Sequence, residues 1–492
     1  MAMLEQDFRL LRETLESKGA MLNKVEIRGR TLHTTVPIKA NEIIMSIPIE
    51  CCITSDKGKQ TKVGKLLETS ETKKTTLPSK FYEHVLLALY LLEKRADKKH
   101  FLAPYFRILP QNKECYPIFW NSSTLNLLQG SSIQLSIEGM EDLLKNEYKI
   151  LGETSPEFKS GLSLEDYMFV RNLISSRVFR LKIHGREVRV LGPYADMMDH
   201  GEIRRAEWKY DDSLDALTVT ALDAMEVGDE VTCHYGRKSA KQFLLWYGFT
   251  PIETLVSGKF SHLRNVEFVM FVPPDVPDAK AKQDLVNSTY STKKYSIDSD
   301  FTIGNACETL SFLRLLNAEG PEELALLPKM TEDYCLIRTP IHPISIENEI
   351  RMLEMLLNMM QGQHSHYLEY AKSEFDPGGG QNRGRSCKRQ KVAHPDEHES
   401  AGPSASECSK VKVSDAAIEE SAKRIIWGEV MLCRFYMNLI DQVIPALERM
   451  VTTPYFTMLG LDEPATEYIA YVWCSLKRQQ ESDSSDRNNA PP

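Results

Sequence analysis

The chain has 492 residues, 42% of them apolar and 26% charged, with a formal net charge of −9 and an isoelectric point near 5.8. That length allows two or three domains around a large core. The acidic balance gives no bulk attraction to nucleic acid or to an anionic membrane surface. Ten cysteines without any CxxC spacing argue against zinc fingers and redox dithiols and point to a reducing compartment.

Residues 1–24 predict a helix, because Leu4, Phe8, Leu11 and Leu15 recur at helical spacing and Gly19 can end it. The stretch carries acidic residues among its arginines and has no uninterrupted apolar segment, so it reads as neither a signal nor a transit peptide. Residues 25–50 predict short strands with a turn at Lys39-Ala40-Asn41. Residues 53–79 are polar and rich in Lys and Thr, and predict a surface loop. His84 to Ala96 predicts an apolar helix. Its run Val85 to Leu92 is too short to span a bilayer, and a soluble intracellular protein is expected.

Helical signals return over 121–150, and Asp166 to Phe179 predicts a helix. A beta-rich block follows: "REVRVLG" is a strand, and "SLDALTVTALDAMEVGDEVTCHYG" reads as strand, connector, turn at Gly228-Asp229, and strand. "SAKQFLLWYGF" closes the block as a short helix ending near Gly248. From about residue 275 the pattern is almost all helical. Ser345 offers a cap to "PISIENEIRMLEMLLNMM", with acidic residues in its first turn. Residues 376–412 are rich in Gly, Ser and Pro and predict a disordered loop, and 479–492 a frayed tail.

The stretch "PYADMMDHGE" holds Asp196, Asp199 and His200 within five residues, and His234 follows in "CHYG". Three chemistries are open to it. The four side chains could ligate a metal as a hydrolase would, but there is no i, i+4 histidine pair and a regular helix is not expected there. A carboxylate could act as an acid or base beside a substrate. Asp199 and His200 could simply satisfy turn backbone.

Their company narrows the choice. "SRVF" (Ser176 to Phe179), "PYADMMDH", "VTCHYG" and "YGF", in this order and spacing, resemble the SET-domain methyltransferases. The likeness is strongest to the subgroup typified by Rubisco large-subunit lysine methyltransferase and actin-histidine methyltransferase. The resemblance implies an α+β fold: a SET domain of small beta sheets with a pseudoknot over 25–252, split by a helical insertion over about 80–165. An all-α substrate-binding domain over 253–478 follows. "FLAPYFRILP" and "YPIFW" match the insertion, and "PISIENEI" the last domain.

The resemblance also assigns roles. S-adenosyl-L-methionine is the implied cofactor, held by Arg28, Gly29, Arg30, Arg177, Asp196, Asp199, His200, Tyr247 and Phe249. Arg177 would face the cofactor carboxylate with its fork. Asp199 stands where the family has Asn, so it accepts but cannot donate. Tyr235 is the implied catalytic residue, aligning an in-line methyl transfer. Phe179, Asp196 and Tyr247 would shape the substrate channel. An aromatic residue at Phe179 favours a lysine stem over an imidazole. No metal is implied.

Besides Asp199, two features depart from the family: Thr31 replaces the second glycine of a Gly-x-Gly loop, and Arg28 replaces an acidic residue before it. They keep open a catalytically weak SET-fold binding module beside lysine or histidine methylation. The expected partner is a protein substrate, with no direct nucleic-acid or membrane contact, and the chain is expected as a monomer. Location is expected in the cytoplasm, and also in the nucleus if the basic run 383–391 is an import signal.

Overall fold

A computed structural model describes residues 2–70, 77, 81–201, 203–236, 238–251, 255–256, 259–260, 265–285, 293–298, 303–327, 341–375, 415–452 and 461–488. The loop 376–412 and the basic run 383–391 within it lie outside the described residues. Two compact units emerge, the first drawn mainly from residues up to 262 and the second mainly from those beyond, with 128–132 counted in the second.

The first unit begins with the helix Ala2–Glu16, which buries Phe8, Leu11 and Leu15 as its periodicity requires. Its sheets are small and antiparallel. Val25–Arg28 pairs with Thr31–Thr34 as a hairpin. Ala216–Ala221 lies between Ile43–Pro48 and Ala206–Asp211. Arg186–Leu191 lies between Ile53–Thr54 and Phe179–Ile183. Because strand pairing alternates side chains, Val188 and Val190 turn inward while Glu187 faces water.

In chain order the inserted helices Tyr82–Lys94, Ala103–Ile108, Ser122–Leu125, Ile133–Thr154, Pro156–Gly161 and Leu164–Arg177 lie between strands Ile53–Thr54 and Phe179–Ile183. Leu164–Arg177 starts where the Ser163 hydroxyl accepts from Asp166 N at 3.1 Å. It is buried on every side from Tyr167 to Ile174, so its one charged core residue, Arg171, needs a partner. Glu147 of Ile133–Thr154 accepts from it at 2.8 and 2.9 Å, and the same carboxylate accepts from the Tyr167 hydroxyl at 2.8 Å.

His84 makes a test of this core. Burial, then Arg171 and Arg189, push its pKa down to about 3, and neither ring nitrogen has a hydrogen-bond partner among the described residues. The unfolded imidazole protonates near 6.5. The unfolded state therefore binds the extra proton, and stability is lost as pH falls from 6.5 toward 3. His84→Leu is expected to flatten the fall of urea midpoint between pH 6.5 and 4. A fall as steep as the parent's excludes this role.

Several expectations need correction. Residues 53–70 are no plain loop: after Ile53–Thr54 come the helices Ser55–Lys59 and Lys62–Glu68, with Ser55, Gly58, Gly64 and Leu67 buried. Thr54 and Thr61 are the N-caps, accepting from Lys57 N and Gly64 N, which explains how so polar a stretch becomes ordered. Phe179 opens a strand instead of closing a helix. Over Asp229 to Tyr235 no regular strand forms; single bridges tie that segment in, Glu230 antiparallel to His33 and Cys233 parallel to His200 and to Ala206.

The second unit is built on the long helices Ile346–Phe375, Asp415–Thr452 and Glu463–Asn488 with Ile303–Leu316. It also contains the antiparallel hairpin Asn265–Met270 with Lys293–Asp298, a strand pair the sequence reading did not place in an otherwise all-helical domain. Glu463–Asn488 runs through most of the stretch expected to fray. Ser345 caps Ile346–Phe375 as predicted, accepting from Asn348 N at 2.9 Å. Asp415–Met450 is long and apolar enough to cross a bilayer, but half of that apolar window is buried in the unit, as in a core helix.

Candidate active site

The site lies wholly in the first unit, where one cavity gathers five separate stretches of chain. It is lined by Arg30; by Pro110, Cys115 and Tyr116; by Ser176 and Arg177; by Asp196, Met197 and Asp199; and by Tyr235 and Tyr247. Its empty volume is about 460 Å³, part of it open to solvent.

Each wall has a local cause. Gly29 takes φ +64° at the tip of the first hairpin, between the paired Arg28 and Thr31, as a two-residue turn with glycine first requires. That tip sends Arg30 inward. Arg177 ends its helix, where the helix gives way to strand. Past strand Arg186–Leu191 the backbone turns through Tyr194, at φ +79°, into the tight turn Ala195–Met197. Helix Ala240–Tyr247 is fixed by a capping box of Ser239 and Gln242 and by Gly248 at φ +80°. A Cβ at Gly248 would lie 3.0 Å from the Cys115 carbonyl, so the helix end abuts the insertion at this point.

Asp196 organises the polar side of the cavity. Arg177 Nη1 donates to its backbone oxygen at 2.8 Å and faces its Oδ2 at 3.3 Å, and the Tyr105 hydroxyl donates to Oδ2 at 2.8 Å. Burial raises the Asp196 pKa, while Arg177 and Tyr105 pull it back. Burial opposes the charge on Arg177, yet Asp196 carries its pKa upward on balance. Arg30 donates to the Ile108 carbonyl at 2.5 Å, and burial followed by Arg177 brings its pKa down to about 9, against the pull of Asp196 and Asp199. Two cations and two carboxylates thus share one small space.

Three buried polar atoms of these side chains lack a hydrogen-bond partner among the described residues: Arg30 Nε, Arg177 Nε and Asp196 Oδ1. A buried group left so is costly unless a ligand completes it. Guanidinium donors beside a carboxylate oxygen fit an amino-acid zwitterion.

Tyr235 forms the opposite wall. Its hydroxyl donates to the Met198 carbonyl at 2.8 Å, and its ring stacks on Tyr247 with centroids 4.8 Å apart. Burial, then Asp199, hold its pKa well above the usual phenol value, so it stays a neutral hydroxyl. With its proton given to a carbonyl, the phenol oxygen presents lone pairs. Tyr235 is placed by parallel contact between two segments: Cys233 N donates to the Asp199 carbonyl, and Gly201 N to that of Cys233, each at 3.0 Å.

Of the residues expected to bind a cofactor or substrate, the cavity brings together Arg30, Arg177, Asp196, Asp199, Tyr235 and Tyr247. Arg28 is a correction: its exposed side chain pairs with Glu26 at 2.7 Å and puts no charge into the cavity. Thr31 does not narrow it either, since its hydroxyl meets His33 Nε2 at 2.7 Å along the hairpin. Gly29 is exposed at the turn. His200 and Phe249 pack on Phe243 behind the wall, with centroids 4.7 and 5.5 Å from it. Phe179 is buried edge-on against Trp208. The sequence reading missed Tyr105, Cys115, Tyr116 and Ser176, although Tyr105 and Tyr116 lie in "FLAPYFRILP" and "YPIFW", the stretches matched to the insertion.

The metal reading finds no support in this geometry. Asp196 is engaged by Arg177 and Tyr105, and the Nδ1 atoms of His200 and His234 accept from the backbone of Tyr235 and Gly236. Among the described residues no group of three or more His, Cys, Asp or Glu side chains is placed to hold an ion.

Residues 29–236 match the family model described as the SET domain. The chain is 24% identical over 305 residues to the chloroplastic [fructose-bisphosphate aldolase]-lysine N-methyltransferase of Arabidopsis thaliana, covering 59% of this chain and 58% of that one. It is 24% identical over 263 residues to the actin-histidine N-methyltransferase of Xenopus tropicalis, covering 50% and 43%. With the chloroplastic ribulose-1,5-bisphosphate carboxylase/oxygenase large subunit N-methyltransferase of Pisum sativum it shares 25% identity over 262 residues, covering 48% and 50%. The chain therefore spans about half the length of the curated relatives it matches. Its fold is similar to the SET domain of LSMT bound to lysine and AdoHcy, with a TM-score of 0.63 at 18% identity, covering 95% of this chain and 99% of that one. Rubisco LSMT bound to AdoMet gives 0.61 at 17% identity, covering 94% and 99%.

Proposed function

Because the chain carries a SET domain over residues 29–236, we propose that it is an S-adenosylmethionine-dependent protein methyltransferase acting on a lysine of a non-histone protein. The observation that carries this reading is the convergence of Arg30 Nε, Arg177 Nε and Asp196 Oδ1, all buried and unpartnered among the described residues, on the cavity that Tyr235 closes.

Arg177 and Arg30 would receive the cofactor carboxylate, and Asp196 with Asp199 its ammonium. The cofactor, when bound, supplies an electrophilic methyl group. The protein's part is to orient and desolvate. Tyr235 and Tyr247 form an aromatic wall, and the Tyr235 oxygen is available to accept from an amine N–H. Enclosure by such a wall disfavours a charged amine, which must lose its proton before it can attack. Phe179 has no atom that could hydrogen-bond an imidazole, which supports lysine over histidine as acceptor.

Calorimetric titration with S-adenosylmethionine tests the cofactor: absence of heat at high concentration leaves the binding-module reading in its place. Labelled transfer into a cell extract, followed by mapping, tests the acceptor, and a methylated histidine overturns lysine. Tyr235→Phe is expected to lower transfer roughly 100-fold, the scale of a lost alignment, while cofactor affinity changes by less than about twofold. Unchanged turnover would remove Tyr235 from the chemistry.

A further inference from the structure

Lys238 stands immediately beyond the aromatic wall. Its loop leaves Tyr235 through Gly236 and runs into the cap residue Ser239. The ammonium donates to the Tyr235 carbonyl and sits over the Tyr247 ring, 5.5 Å from its centroid. The side chain is half-buried, and burial lowers its pKa.

Among the described residues no carboxylate pairs with it. Lys24, Lys59, Lys94, Lys113 and Lys145 each meet a carboxylate at 2.6 to 3.0 Å, whereas Lys238 has no ion pair among the described residues. His234 is held neutral by burial, by Lys238 and by Arg204. A carbonyl and a ring face soften the cost of a half-buried ammonium but do not neutralise it. A carboxylate brought by another molecule would.

Resting on the function proposed above, we propose that Lys238 is a specificity-determining residue that selects acceptor lysines flanked by aspartate or glutamate. It lies next to both tyrosines assigned to the acceptor amine, so an acidic residue beside the acceptor comes within its reach. A basic flank meets a like charge there instead.

The test uses the full chain and two fluorescein-labelled synthetic peptides with one central lysine, flanked by glutamates or by arginines, read by anisotropy with and without S-adenosylhomocysteine. The parent is expected to bind the acidic peptide about tenfold more tightly at low salt. Lys238→Met should level the two, and Lys238→Glu should reverse their order. Calorimetry with S-adenosylhomocysteine on each variant reports whether the pocket is intact. The inference is overturned if the parent shows no preference, if Lys238→Met keeps it, or if neither peptide binds. Failure of the parent to bind S-adenosylhomocysteine overturns the proposed function separately, because the peptide comparison is still read without it.

Discussion

Replacing Arg177 with alanine is expected to weaken S-adenosylmethionine binding by roughly 100-fold, equivalent to about 2.7 kcal/mol. Two losses combine. On the proposed function, the cofactor carboxylate would lose a guanidinium that is only 10% exposed, and Asp196, wholly enclosed, loses its cation. Burial then pushes the Asp196 carboxyl further toward its neutral form, which is a poorer acceptor for the cofactor ammonium. Arg177→Lys separates these effects. It restores a charge without the planar fork, so affinity should recover only in part. Titration calorimetry on both variants measures this, and parent-like affinity in Arg177→Ala would place the cofactor elsewhere.

Glu147→Ala is expected to cost about 3–5 kcal/mol of stability. Glu147 and Arg171 are 0% and 3% exposed, and the carboxylate accepts two bonds from that guanidinium. Its removal strands a charge in a helix buried on all sides and takes the acceptor from the Tyr167 hydroxyl. Whole domains are stable by only about 5–15 kcal/mol, so this single change should move the urea midpoint far with an unchanged slope. Glu147→Gln keeps an acceptor and should lose less than alanine. A shift below about 1 kcal/mol for Glu147→Ala would mean that water reaches Arg171.

The pair could not have been read from the sequence. Glu147 lies in an amphipathic helix where glutamate is ordinary, and Arg171 follows it by 24 residues with no pattern to link them. Patterns near in sequence were legible: the Ser345 cap, the Gly248 helix end, the turn at Gly228. So was one part of the cavity lining, because Arg177, Asp196, Asp199 and Tyr235 sit in short motifs. Tyr105 was not, since its part depends on a hydroxyl reaching Asp196 across 91 positions. Arg28 and Thr31 were misjudged for a related reason. Sequence places them beside a glycine, but only strand pairing shows that Arg28 turns to Glu26 and Thr31 to His33. The hairpin Asn265–Met270 with Lys293–Asp298 was lost among helical neighbours, since "VEFVM" is short and its partner lies in a polar stretch.

The cavity wall runs from Arg30 to Tyr247, and no single stretch of chain supplies more than a few of its side chains. Such a pocket has no existence in fragments. During synthesis it cannot form until the segment carrying Tyr235 and Tyr247 has emerged and laid itself along Asp199 to Ala206. Contacts this distant make for slow closure. They also make the ligand a report on the whole unit: at a cofactor concentration 100 times its Kd, about 2.7 kcal/mol is added to the stability of every element that must be in place to bind it. In a cell, the supply of cofactor would then set not only how fast the protein works but how long it survives.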